Sequence, residues 1–264
     1  MYSLTQATQL FLHHAQTGSQ NGSSEVQKYN SHKIRHSLWV LETGRNLIIK
    51  IQENTPLSSE FKNRAEIVFI LHDLGRFYQN NGERVLKNSE YEHGDKSYKL
   101  AQIAQYDEWI CLAIKYHNKY SHLPLLEEPS FLSMNPKEQE ETLFLAKLAR
   151  DADKLQNMIY TVFNIDHILK LDPYSENLKR EDISEINRED VKKHVQIDRK
   201  NIYSVWDYLL STLCWIFDIN FQESVETLHF YWYFEKIIQK FDELPEISQN
   251  SLKIIKENIL NYKL

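Results

Sequence analysis

The sequence is short of the residues that punctuate a chain: its 264 residues hold only 6 Gly and 6 Pro. All-β sandwiches and barrels need frequent turns, so this scarcity argues against them and for long helices. Cysteine is scarcer still, with 2 in all, Cys111 and Cys214, far apart and each in an apolar run. They form no CxxC pair, which argues against a disulfide framework and fits a reducing, cytoplasmic setting. Runs of about 18 apolar residues are missing, so no membrane-spanning helix and no membrane partner are expected. The N-terminal MYSLTQATQLFLHHAQTGSQ lacks a basic leader and a long apolar stretch, and does not read as a secretory signal. A basic excess is missing as well. The formal net charge is -6, and nothing resembles the broad basic surface that duplex nucleic acid requires. The acidic excess lies almost wholly beyond residue 160. The preceding part is close to neutral, and its basic residues can face a small anionic ligand.

What is present is ordinary for a soluble globular protein, with 42% hydrophobic and 26% charged residues. Apolar residues recur at helical spacing. A short helix is expected over 2–15, followed by a polar loop at 17–25. Ile34, Leu38, Leu41, Leu47, Ile48 and Ile51 mark a helix over about 30–54, closed by Thr55–Pro56. The next helix carries Ala65, Val68, Phe69 and Leu71 into His72–Asp73, with Gly75 ending or kinking it. Residues 79–90 read as a loop. Helices are expected over about 92–105, 107–118 and 138–168, with a proline-bearing connection at 119–137. The charged stretch 174–200 reads as a solvated helix or loop. An apolar helical pattern resumes at 202, and two more helices are expected over about 222–241 and 246–262. The aromatic run Phe230-Tyr231-Trp232-Tyr233-Phe234 is ambiguous by propensity.

Along the first of these parts run His36, His72–Asp73, His93, His117 and Asp153, each on or at the end of an expected helix. Imidazole and carboxylate ligate Zn, Mn, Fe, Co and Ni, and Mg is admitted by the carboxylates. Two ions can share six such residues if one carboxylate bridges, and Asp73 is the natural bridge. The absence of a cysteine ligand argues against a structural zinc site.

The motifs around these residues carry a resemblance. HSLWV at 36–40, ILHDLGRF at 70–77, YEHG at 91–94, AIKYHNKY at 113–120 and RDADKLQN at 150–157 resemble the HD-domain metal-dependent phosphohydrolase superfamily. The series is similar to one bacterial subgroup of HD proteins, and LCWIFDINF at 213–221 extends the likeness over most of the chain. DADKLQNM also resembles the ADRLHN motif of alarmone hydrolases, whose four-ligand mononuclear pattern leaves His93 and His117 unexplained.

The resemblance implies an all-α HD-domain helical bundle with additional C-terminal helices. It implies one domain over 1–264, with a metal-binding core at about 30–170 and a helical extension at about 171–264. His36, His72, Asp73 and Asp153 are then ligands of a first ion, and His93 and His117 match the added ligands of binuclear members. The implied activity is hydrolysis of a phosphoester or phosphoanhydride of a small metabolite or nucleotide, by water activated on one or two divalent ions. Asp73, Arg76 and Lys154 are the expected catalytic residues. Arg76, Asn118, Lys119 and Lys154 are the expected substrate contacts. Three of them have a structural reading beside this one: Arg76 paired with a carboxylate such as Glu92, Lys154 paired with Asp73 or Asp151, Asn118 capping a helix. The aromatic C-terminal helices close the core, wall the pocket or form a homodimer face. Two other functions share the ligand set. One is a di-iron oxygenase similar to inositol oxygenase. The other is a non-catalytic nucleotide-binding HD module.

Overall fold

The computed structural model describes residues 2–20, 22–78, 92–119, 123–171, 178–260 and 262. Among them the secondary structure is helical, and pairing of the β type is limited to one isolated parallel bridge between Lys179 and Ser204. The chain divides into two compact units, Met1–Asp153 and Lys154–Leu264.

The first unit opens with α1 (Leu4–Ser19), whose start is closed by a reciprocal Ser3–Gln6 cap. It continues four residues past its core stripe of Ala7, Phe11 and Ala15 and takes up the first three residues of the expected loop. Helix α2 (Ser24–Ile51) starts earlier than its apolar pattern, because Ser23 accepts from the Val26 amide and caps it. Helix α3 (Ser59–Leu71) is the central element. Ile67, Val68, Phe69, Ile70 and Leu71 are all buried, so its last turn is surrounded on every side. A 3-10 turn over Leu74–Tyr78 follows, and α3 and this turn pack on α1 and α2. Helices α4 (His93–Ile103) and α5 (Glu108–Tyr116) pack on each other, α4 against the 3-10 turn and α5 against α3. The loop expected at 79–90 lies outside the described residues.

Two short helices, α6 (Leu123–Leu126) and α7 (Pro129–Leu132), interrupt the proline-bearing connection. Helix α8 (Pro136–Leu171) then runs 36 residues, with a kink at Asn164 where φ is -124 and ψ is 16. The boundary between the units falls inside it, after Asp153.

The second unit continues through α9 (Glu185–Lys192), α10 (Val205–Leu213), a 3-10 turn over Cys214–Asp218, α11 (Gln222–Phe230), α12 (Tyr233–Asp242) and α13 (Gln249–Ile259). The charged stretch is partly anchored: Ile183, Asn187, Val191 and Ile197 are buried. The single helix expected over 222–241 is broken. Trp232 takes the left-handed conformation, φ 54 and ψ 34, which ends α11 and restarts the chain as α12. The break turns Tyr233 and Phe234 into the core and leaves Phe230 and Trp232 exposed. No helix among the described residues is long and apolar enough to cross a membrane.

Candidate metal centre

The six residues singled out by the sequence converge in the first unit. The buried end of α3 delivers His72 and Asp73 into the interior, where Asp73 is 3% exposed. His36 comes from α2, His93 is the first residue of α4, His117 caps the end of α5, and Asp153 lies on α8.

Asp73 sits at the centre with its two oxygens facing different partners. Oδ2 lies 3.6 Å from His36 Nε2 and 3.8 Å from His72 Nε2. Oδ1 lies 3.3 Å from His93 Nε2 and 3.9 Å from His117 Nε2. Asp153 Oδ1 closes the first side, 3.0 Å from His36 Nε2 and 3.9 Å from His72 Nε2. Three overlapping groups have donor atoms within 4.8 Å of one another: His36, His72 and Asp73; His72, His117 and Asp153; Asp73, His93 and His117.

Two of the imidazoles are held in the tautomer a metal needs. His72 Nδ1 donates to the Phe69 carbonyl at 2.7 Å, and His117 Nδ1 donates to the Ile114 carbonyl at 2.6 Å. Each bond leaves the Nε2 lone pair pointing inward. His117 Nε2 is buried and has no hydrogen-bond partner. A neutral nitrogen facing a carboxylate oxygen across 3.9 Å is electron-rich on both sides. A cation resolves that arrangement, so the residues fit a divalent metal.

The charge states fit it as well. Burial, reinforced by His72, pushes His117 down to about 4. Burial also lowers His72, and burial with the nearby Arg76 charge holds His93 well below its usual value. Burial alone would raise Asp73, but Lys33, His72, Arg76 and His93 outweigh it and hold the carboxyl well below the usual range. Asp153 is lowered in the same way, burial being outweighed by its bond to His36. At neutral pH His72, His93 and His117 are thus neutral and Asp73 and Asp153 ionised, the forms that ligate metal.

A stability prediction follows for chelated protein. The lowered imidazoles bind fewer protons folded than unfolded, so stability is full above about pH 6.5 and declines as pH falls toward about 4. The depressed carboxylates extend the decline below their unfolded value of 3.8. A drop from 6.5 to about 4 makes His117 alone worth about 3 kcal/mol. Thermal unfolding between pH 7 and 4 should show the decline, with a shallower slope in His117→Gln. A flat profile would contradict the neutral-imidazole assignment.

Two glycines let the helices meet around the site. A Cβ on Gly75 would stand 2.4 Å from the His93 carbonyl oxygen. One on Gly94 would stand 2.4 Å from Asn118 Oδ1 and 2.6 Å from the Lys115 carbonyl oxygen. The start of α4 is thus wedged between the His-Asp turn and the end of α5. Buried Arg150 ties that end down, donating to the carbonyls of His117, at 3.3 Å, and Lys119.

The remaining expected residues have definite partners. Arg76 Nε lies 3.5 Å from Asp73 Oδ1, which gives it a carboxylate partner. Asn118 Nδ2 lies 3.2 Å from His93 Nδ1 and 3.5 Å from Glu92 Oε2. Lys119 pairs with Asp95 at 2.9 Å and Glu92 at 3.3 Å. Lys154 pairs with the Asp218 carboxylate and donates to the Asp218 carbonyl at 3.1 Å, a partner the sequence reading did not name. Lys33 was missed altogether. Its ammonium lies 3.2 Å from Asp73 Oδ2, and its only sequence signal is its place one turn before His36.

Comparison with known proteins gives one finding. The HD domain family model matches residues 34–158, a span that contains all six clustered residues. No curated protein and no solved structure matches the chain. With the helical fold and the histidine–aspartate cluster, the match identifies residues 34–158 of the chain as an HD domain.

Proposed function

We propose that the chain is a metal-dependent phosphohydrolase, cleaving a phosphoester or phosphoanhydride of a small metabolite or nucleotide. The observation that carries this reading is the buried Asp73 carboxylate, with a histidine pair facing each oxygen. Divalent ions held there supply a water nucleophile near neutral pH and neutralise charge on phosphoryl oxygens. The protein's own part is to hold the donors in place. The Phe69 and Ile114 carbonyls fix His72 and His117, and Asn118 restrains His93. Arg76, already beside Asp73, is the cation best placed to balance charge building on the phosphoryl group. Lys119 and Lys154 are each engaged by carboxylates and come after it.

The test is phosphate release from a panel of phosphomonoesters and nucleotides, by metal-loaded protein, in air and without oxygen. The expected result is turnover that does not depend on oxygen and stops on chelation. Arg76→Ala should lower kcat about 100-fold. Oxygen uptake with a mixed-valent iron EPR signal would replace the reading with a di-iron oxygenase. Tight nucleotide binding without release would replace it with a binding module.

A further inference from the structure

Lys33 raises a question that the metal donors do not answer. It reaches Asp73 Oδ2, the oxygen that also faces His36 and His72. The lysine therefore occupies, with a single positive charge, the side of the carboxylate where a divalent ion would sit. Its side chain retains 15% exposure against 4% for Asp73, so it keeps some contact with solvent. A four-carbon stem with a compact ammonium can swing outward without moving α2.

We infer that Lys33 is a place-holding counter-ion: it neutralises Asp73 in the metal-free protein, is displaced when the site is loaded, and then meets the anionic group of the substrate. The first two steps rest on geometry and Coulomb's law alone. A lysine and a divalent ion cannot both lie against one carboxylate oxygen without strong repulsion. The last step rests on the phosphohydrolase reading. A displaced ammonium beside a cationic site is a ready contact for a phosphoryl oxygen.

The competing role is purely structural: Lys33 orients Asp73 by a hydrogen bond. The two roles predict opposite signs. Removing an orienting partner weakens metal binding, typically about 10-fold to 100-fold. Removing a competing cation strengthens it.

The experiment is Mn2+ titration of chelated wild type, Lys33→Gln and Lys33→Arg by calorimetry, followed by inorganic phosphate titration of the metal-loaded proteins. Lys33→Gln should bind Mn2+ on the order of 10-fold more tightly and inorganic phosphate on the order of 10-fold more weakly. Lys33→Arg keeps the charge and should stay near wild type in both, and circular dichroism of Lys33→Gln checks that it is folded. Unchanged or weaker Mn2+ binding in Lys33→Gln overturns the proposal. Tighter Mn2+ binding with unchanged phosphate binding overturns its substrate step. If wild type binds no phosphate, that step falls together with the phosphohydrolase reading, while the Mn2+ result still decides the counter-ion role.

Discussion

Asp73→Asn is expected to empty the site and remove activity. Both oxygens of Asp73 face histidines, two on each side, and both also face a cation: Lys33 at Oδ2 and Arg76 at Oδ1. An asparagine of the same shape presents an NH2 to one of those sides. That group donates hydrogen bonds and cannot ligate a cation, and the remaining carbonyl carries no net charge. One histidine pair thus faces a donor, and no charge is left to bridge two ions. Lys33 and Arg76 lose their shared anion at the same moment. Leaving charges partly buried without their partner costs about 3–5 kcal/mol, so the metal-free variant should also melt earlier. Turnover should fall on the order of 1000-fold or more, and bound metal below about a tenth of wild type. Elemental analysis and phosphate release measure the two effects, and circular dichroism checks the fold. A variant that keeps full metal occupancy, or activity within about 10-fold of wild type, would remove Asp73 from the centre of the account.

Gly75→Ala has the second-largest expected effect, and it acts without touching a donor atom. The added Cβ would meet the His93 carbonyl oxygen at 2.4 Å and Lys96 Cβ at 2.9 Å. The His93 carbonyl and the Lys96 Cβ are both fixed to the backbone of α4, so neither moves unless the helix moves. The Gly75 amide also donates to Ser97 Oγ at 2.8 Å, a second tie between the same two elements. Pushing α4 away separates His93 from Asp73 and loosens one side of the site. Overpacking of this kind costs about 1–3 kcal/mol. The variant should lose the ion that depends on His93 before it loses the other, so its metal content falls by about half while the helical spectrum is retained. Unchanged stability and unchanged metal content would show that the turn and α4 are not rigidly coupled.

The parts of the site that were legible in the sequence are those with local causes. His72–Asp73 follow an apolar run that buries on all sides, so their delivery into the core could be read from Val68, Phe69 and Leu71. The six donors stood out because each lay at a helix position and within a motif resembling the HD family. What could not be read depends on residues far apart in the chain. Lys33 meets Asp73 across 40 positions, and Lys154 meets Asp218 across 64. No periodicity announces such a contact, and a lysine on a helix ordinarily points to water. The aromatic run at 230–234 failed for another reason. Its residues suit a helix or an extended chain about equally. The burial of Tyr233 and Phe234 decided the matter by placing Trp232 in a left-handed turn. Helix ends were misjudged where a serine cap, not the apolar stripe, set the boundary, as Ser23 does for α2.

The division into two compact units has a similar origin. The six clustered residues run from His36 to Asp153, and the first compact unit ends at that aspartate. The helix that carries it runs on to Leu171, with its kink only at Asn164, so the sequence pattern offers no sign of division at Asp153.

The measurement that bears most directly on the binuclear reading is metal content by elemental analysis, on protein purified without chelator and on its His93→Ala variant. The account predicts about two transition-metal ions per chain in wild type and about one in the variant, because His93 serves only the Oδ1 side of Asp73. About one ion in both proteins would contradict the shared carboxylate and leave His93 as a substrate contact. No metal in either, even after reconstitution, would contradict the metal-dependent mechanism itself.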